Sequence, residues 1–410
     1  MVQLIQVNSL TFRNKQLPIL SRTDRSIHHM AWFIFLLSCS MLLSCATGKL
    51  YINGENNATA VDPTEKPIYT LYAIGDAGEQ NDQAKEVLHA LVDITTDDTQ
   101  PGMVIFLGDN IYPAGLAAEV DKEARQYGEE VLSTQVNALS SYRGEIVFVP
   151  GNHDWNEFKP GGLDAIKREG EFIKSFKKTN VSLLPQDGCG GPFVKELNQD
   201  AVLLILDSQW WIQDWDKEPK MNEGCAIKSR EEMIKRLHEL FEKYKDRQIL
   251  LAMHHPLESR GPHGGYFSFQ DHVFPLTKLV DWLYLPLPVI GSLYPWYRQV
   301  VGHPQDENGK MYREMKESIL EIALQQKIIF LSGHDHNLQY VKHEGHDILV
   351  SGSGSKQNAI ANGEELIYGH KAGGFMTLDF YKNGSIELSA YEVENGSNTP
   401  DLVFRQWLRD

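Results

Sequence analysis

Residues Val104–Tyr112 read V-I-F-L-G-D-N-I-Y. Met103–Leu107 is an apolar run with the length and residue types of a strand buried on both faces. It stops at Gly108 and leaves Asp109 at the strand's carboxyl end, the edge at which open α/β sheets place their ligands. One acid at one tip is ordinary turn chemistry. Here the pattern recurs. Ile68–Ile74 runs into Gly75-Asp76-Ala77-Gly78, and Glu145–Val149 into Gly151-Asn152-His153-Asp154. Gln248–Met253 runs into His254-His255-Pro256, and Lys327–Leu331 into Gly333-His334-Asp335-His336. Most of these tips follow a glycine, which lets the backbone turn tightly. We read the five tips as one metal site.

The donors they supply are Asp76, Asp109, Asn152, His254, His334 and His336. Oxygen and imidazole without thiolate suit Fe, Zn or Mn. Two acids and three histidines are more than one ion takes, so a binuclear centre is the economical reading. Between the tips the chain alternates. Asp82–Ile94, Asp121–Ser141, Leu163–Lys178, Ser229–Tyr244 and Tyr312–Gln326 have helical spacing, and Pro192–Leu197 and Ala201–Asp207 read as paired strands. Short strands close the chain: Leu338–Lys342, Asp347–Ser351, and Phe375–Tyr381 joined to Ser385–Tyr391 by the hairpin signal Asn383-Gly384. The expected architecture is an α/β domain of two packed mixed sheets flanked by helices, spanning 67–395, with 396–410 as a carboxyl-terminal tail.

The chain has 410 residues and a formal charge of −16; its first 44 residues carry +3, which leaves −19 from Cys45 onward. That balance lacks the basic footprint of a nucleic-acid binder. Ala31–Ser44 is apolar but too short to span a bilayer comfortably, and has the length of a signal-peptide core with arginines upstream. It ends Leu42-Leu43-Ser44-Cys45, which resembles a bacterial lipobox. The expectation is a lipoprotein signal over 1–44, a lipidated Cys45 and a polar tether over 45–66. An ordinary secretory signal is the alternative, and Met30 is an alternative start. Either signal places the mature chain outside the cytoplasm, and lipidation would hold it at a bacterial membrane. Cys189 and Cys225 are then an even pair in an exported chain, which invites a disulfide; two free buried thiols are the alternative. The sequence does not fix an oligomeric state.

In this order, G-D-x-G, G-D-N-x-Y, G-N-H-D, a histidine two residues before a proline, and G-H-D-H resemble the calcineurin-like metallophosphoesterases. Within them the chain is most similar to the small purple (tartrate-resistant) acid phosphatases. The closest local match is Gly333–Tyr340, G-H-D-H-N-L-Q-Y. The resemblance implies a four-layer α/β/β/α sandwich and hydrolysis of a small phosphate ester. Most of the family carries a ligand histidine where this chain has Gly78; Tyr112 matches the tyrosine that replaces it in purple phosphatases, a hard donor that favours Fe(III). By resemblance, one metal takes Asp76, Tyr112, His336 and a bridging Asp109, and a second, divalent ion (Fe, Zn or Mn) takes Asp109, Asn152, His254 and His334. The implied reaction is in-line attack on phosphorus by a metal-bound hydroxide. His153 matches a histidine that protonates the leaving group or binds phosphate, and His263 one that lines the substrate pocket. His255 and Asp335 read as support or packing; Asp154 either orients His153 or makes a turn.

Three functions remain open: a phosphomonoesterase first, then a phosphodiesterase or nucleotide hydrolase on the same metals, then an anchored surface protein that binds metal or a partner with little turnover. The insertion over 257–308 lies outside the resemblance. Its Phe274–Tyr297 segment is rich in Trp, Tyr and Leu but broken by four prolines. It reads as a small packed subdomain, or as exposed aromatic tips meeting a membrane or an apolar substrate. Its two ends predict a wall or cap over the metals.

Overall fold

The computed structural model describes residues 46–57, 65–96, 100–278, 280 and 282–409. The leader expected over 1–44 and the lipidation expected at Cys45 lie outside the described residues.

Two mixed sheets carry the fold. The first is built on β2 (Tyr69–Ile74), β3 (Gly102–Phe106), β4 (Glu145–Phe148) and β5 (Val181–Leu183), all parallel. The helices α1 (Asp82–Thr96), α2 (Lys122–Ala138) and α3 (Gly162–Ser175) make its crossovers. It is extended on the β2 side by antiparallel β13 (Gly373–Phe380), β14 (Ile386–Val393) and β15 (Asp401–Arg409). The second sheet has parallel β7 (Ala201–Ile205), β8 (Gln248–Ala252), β9 (Ile329–Ser332) and β11 (His346–Ser351) at its centre. Its flanks are β6 (Phe193–Glu196) on one side, and β10 (Leu338–His343), β12 (Leu366–His370) and β1 (Tyr51–Ile52) on the other. Helices α4 (Ser208–Ile212), α5 (Arg230–Lys243), α6 (Phe269–Val273), α7 (Pro288–Val300) and α8 (Lys310–Ala323) belong to this half of the chain.

The apolar runs of the central strands follow from double burial. Tyr69, Leu71 and Ala73 of β2 point into a core shared with Leu250 and Ala252 of β8 and Leu331 of β9, between the sheets. The alternate residues Tyr72 and Ile74 meet Val87 and Leu91 of α1, and Ile249 and Leu251 meet Leu237 and Phe241 of α5. One period-2 alternation thus fills two layers, sheet on sheet inside and helix on sheet outside.

Two expected boundaries are corrected. The stretch 396–410 is not a tail throughout: Asp401–Arg409 pair along β14, and Phe404 and Leu408 are buried in the inter-sheet core. Nor is the described part of 45–66 only a tether, because Tyr51–Ile52 pair with Gly369 and Tyr368. Both segments are rich in polar residues and lie at sheet edges, so their strand character comes from an edge that accepts them and not from their own pattern. Cys189 and Cys225 are joined, with Cα atoms 5.6 Å apart.

Candidate metal centre

Parallel pairing brings the carboxyl ends of β2, β3 and β4 to one edge, and those of β8 and β9 to the matching edge of the other sheet. The two edges touch: the N–H of Gly75 donates to the carbonyl of Ser351 at 2.7 Å. Glycine makes the approach possible. A Cβ on Gly108, after β3, would stand 2.5 Å from Nδ1 of His254, after β8 of the other sheet. At this edge Asp76, Asp109 and His334 themselves adopt left-handed backbone conformations, with φ of 57°, 54° and 70°. Each costs on the order of 1 kcal/mol and is tolerated where the surroundings fix it, as functional sites commonly do.

The seven expected donors fall into two groups. In the first, Tyr112 Oη lies 3.0 Å from Asp76 Oδ1 and 3.1 Å from His336 Nε2, and His336 Nε2 lies 3.4 Å from Asp76 Oδ1. In the second, Asn152 Oδ1 is 3.0 Å from His254 Nε2 and 3.1 Å from His334 Nδ1, and those two nitrogens are 3.1 Å apart. Asp109 stands between the groups, its Oδ1 3.4 Å from His254 Nε2. Donors held about 2.1 Å from a cation are separated by about 3.0 Å in an octahedron and about 3.4 Å in a tetrahedron. The observed spacings match those edges.

Proton bookkeeping in the second group points the same way. His254 Nδ1 donates to the carbonyl of Leu107 at 2.8 Å, and His334 Nε2 to that of Gln305 at 2.7 Å. Burial and the neighbouring imidazoles hold His334 well below the usual histidine range, so it is neutral. His334 Nδ1 is then a lone pair that converges with the amide oxygen of Asn152 on His254 Nε2, a set of donor atoms around one point that a cation can share. His255 is set apart from them. It lies beside His254 and His334, but its Nδ1 meets Ser208 Oγ at 2.8 Å and its Nε2 meets Gln305 Oε1 at 2.7 Å, so neither nitrogen is left for a metal.

The first group is dominated by oxygen. Burial pushes Asp76 up to about 7. Burial, then the charges of Asp109 and Asp76, keeps the Tyr112 phenol well above its ordinary value. Burial alone would also raise Asp109, but His254 and His153 outweigh it and hold that carboxylate low. A strong Lewis acid is what would discharge the first group. Position 78 could not help, since a Cβ there would lie 2.5 Å from the carbonyl oxygen of Asp109. Tyr112 instead bonds Gly78 through its backbone, N–H to O at 3.0 Å, and turns its phenol to Asp76.

His153 and His263 both reach the rim, each about one-fifth exposed. The N–H of His153 donates to Asp109 Oδ1 at 2.9 Å, and its Nδ1 meets the carbonyl of Pro113 at 2.5 Å, which leaves Nε2 3.8 Å from Asp109 Oδ2. The ring of His263 lies 3.9 Å from that of His334, and its Nδ1 is 2.9 Å from Asp306 Oδ1. Asp154 settles as a loop former. It accepts the N–H groups of Gly151, Asn110 and Ile111 and the side-chain amide of Asn110, and does not bond His153. Asp335 accepts from Ser259 Oγ and the N–H of His263, a supporting role.

Several contributors were not singled out in the sequence. Arg298 on α7 grips Asp306, with Nε 2.7 Å from Oδ2, and so fixes the partner of His263. Gln305 orients His334 with a backbone carbonyl, which no side-chain pattern reveals. Lys356 places its ammonium 3.2 Å from the centre of the Tyr112 ring and pairs with Glu79 at 3.0 Å; Asn358 lies 3.2 Å from His336 Nδ1. The one available signal was Ser351-Gly352-Ser353-Gly354-Ser355, a glycine-rich run directly after a strand. A cleft of about 820 Å³ between α1 and α2 contains none of the donors.

A family model for calcineurin-like phosphoesterases matches residues 69–338. Purple acid phosphatase 17 of Arabidopsis thaliana is 22% identical over 371 residues, which cover 87% of this chain and 90% of that protein. Among solved structures, GAP50, the anchor in the inner membrane complex of Plasmodium, aligns with a TM-score of 0.54 at 13% identity, over 84% of this chain and 89% of that one. That second likeness is one of fold.

Proposed function

We propose, since this chain belongs to the calcineurin-like phosphoesterase family, that it hydrolyses small phosphate monoesters at a two-metal centre of the purple acid phosphatase type. The observation that carries this reading is the pair of donor groups sharing Asp109, with the Tyr112 phenol beside a Gly78 that has no room for a side chain. Asp76, Tyr112, His336 and Asp109 would hold Fe(III); Asp109, Asn152, His254 and His334 would hold a divalent Fe, Zn or Mn. When bound, the ions draw charge from the phosphoryl oxygens and activate the attacking water.

The chain's own groups do the rest. Asp109 bridges the two halves and holds the His153 backbone. His153 Nδ1 donates its hydrogen bond to the carbonyl of Pro113, so Nε2 is the atom that can carry a proton to the alkoxide as the P–O bond breaks. Asp306 takes the Nδ1 proton of His263, leaving its Nε2 to meet a phosphoryl oxygen. The chain is exported as a lipoprotein anchored through Cys45, on the strength of its lipobox.

Metal analysis, a visible spectrum and a panel of phosphomonoesters and phosphodiesters test this together. The expected result is two ions per chain, a phenolate-to-iron band that Tyr112→Phe abolishes, and faster turnover of monoesters. A colourless Fe(III)-loaded wild type would refute the tyrosinate assignment, and a preference for diesters would refute the substrate class.

A further inference from the structure

Helix α7 is packed inside out. A surface helix ordinarily buries its large apolar side chains and shows its polar ones. Helix α7 turns Gly291, Ser292 and Pro295 inward and leaves Ile290, Leu293, Tyr294, Trp296, Tyr297 and Val300 exposed. Its small side is a requirement of the packing, because a Cβ on Gly291 would stand 2.3 Å from the carbonyl oxygen of His272 in α6. The preceding loop adds Trp282, Tyr284 and Leu285, with Trp282 77% exposed. Single exposed apolar residues need no explanation, but a stripe spaced 290, 293, 294, 297 with flanking aromatics does. Between Trp282 and Val301 the sole charged residue is Arg298, and it is turned to Asp306.

The chain enters the described fold at the root of this patch. The N–H of Ala46 donates to the carbonyl of Phe267 at 3.0 Å, and Ala46 bridges to Ser268, the residue that caps α6. Ala46 follows Cys45 of the Leu-Leu-Ser-Cys run, so an acyl group on Cys45 would start one residue, about 3.8 Å of chain, from the insertion.

We propose that the exposed face of α7 and its preceding loop is a membrane-docking surface, seated in the headgroup–acyl boundary of a bilayer beside the acylated Cys45. An anchor at Cys45 holds the chain at the bilayer through one point and leaves its face free to turn, so a second signal beside it is what fixes the orientation. Tryptophan and tyrosine are the side chains that favour this boundary. No described helix is long and apolar enough to cross a membrane, and Pro295 lies inside α7, so the helix lies in the membrane plane. With a charge of −19 from Cys45 onward, the second signal is apolar contact and not attraction to anionic lipid.

The test uses the chain from Ala46 to Asp410, which contains all the strands of both sheets and both cores and clusters as one compact unit, and which carries no acyl group. It is floated with vesicles of phosphatidylethanolamine and phosphatidylglycerol in equal parts. We expect it to rise with the vesicles and its tryptophan emission to be quenched by brominated lipid. The combined variant Trp282→Ser, Leu293→Ser, Trp296→Ser should partition about a hundredfold less, the three side chains having left the boundary. Its hydrolysis of a small soluble phosphate ester should be unchanged. A parent chain that does not float, or a variant that floats equally, overturns the proposal. So does a parent that stays off the vesicles and sediments as a dimer which the variant dissociates, because the face would then belong to a second copy.

Discussion

The half of the centre around Tyr112 and the half around His254 are made of different materials and steadied by different parts of the chain. The first gathers a carboxylate, a phenol and one imidazole, with Lys356 over the phenol and Asn358 beside the imidazole. The second gathers an amide and two imidazoles, fixed by the carbonyls of Leu107 and Gln305. Hard, negative donors suit a trivalent ion, and neutral nitrogen donors suit a divalent one. The supports also differ in origin: the loop after β11 for the first half, and the end of β3 with the returning limb of the insertion for the second. The difference teaches that each strand tip chooses its donor atom, while other segments of the chain choose that donor's orientation and protonation.

The strongest way to break that contrast is at the residue the halves share. Asp109→Asn should lower the metal content of both halves and reduce turnover to background, as read by metal analysis and phosphate release. Loss from one half only would remove the bridge from the scheme. Tyr112→Phe should cost metal in the first half alone, taking the chain from two ions to one while the second half stays filled; equal loss of both would erase the distinction. His153→Ala should keep both ions and cut turnover by about 10²–10⁴-fold, with poor leaving groups suffering most. A uniform loss across leaving groups would leave His153 as a phosphate binder.

A subtler change sharpens the role of the insertion. Asp306→Asn leaves the His263 ring in place but takes away the carboxylate that holds its Nδ1 proton, and turnover should fall about tenfold to a hundredfold, the range for groups that orient a functional histidine. Metal content should be unaffected, and its loss would mean that the insertion steadies the metals as well.

The smallest effect is on stability. Glu169 is fully buried, bonds Asn110 Nδ2 through Oε1 at 3.1 Å, and has no described partner for Oε2. Burial pushes it from 4.5 up to about 8. The folded chain therefore keeps a proton that the unfolded chain releases. That contribution is whole below about pH 4.5 and is lost as pH rises through 8. In chelator, thermal unfolding followed across that window should show falling stability, with a shallower slope in Glu169→Gln. An unchanged slope would place the proton elsewhere.

Much of this was legible in the residues. The continuous apolar runs of β2, β3, β4, β8 and β9 announced strands buried on both faces, and the polar residue after each run announced the edge where they meet. The hairpin at Asn383-Gly384 and the helix begun by Ser229 were readable because turn and cap chemistry is local. Strands β1 and β15 were not, because an edge strand is defined by the partner that accepts it. Arg298, Asp306 and Gln305 were equally silent: a salt bridge and a backbone carbonyl leave no periodic trace.

The sequence by itself determined which atoms were available to a metal and in what order along the chain, since donor chemistry belongs to the residue type and tip position to the strand pattern. The tertiary structure alone decided that Gly78 has no room for a side chain. It also decided that His255 has both nitrogens spent, that Asp154 shapes a loop, and that α7 shows its large face outward. Each of these depends on a neighbour distant in sequence, and such a neighbour is specified only once the two sheets have closed on each other.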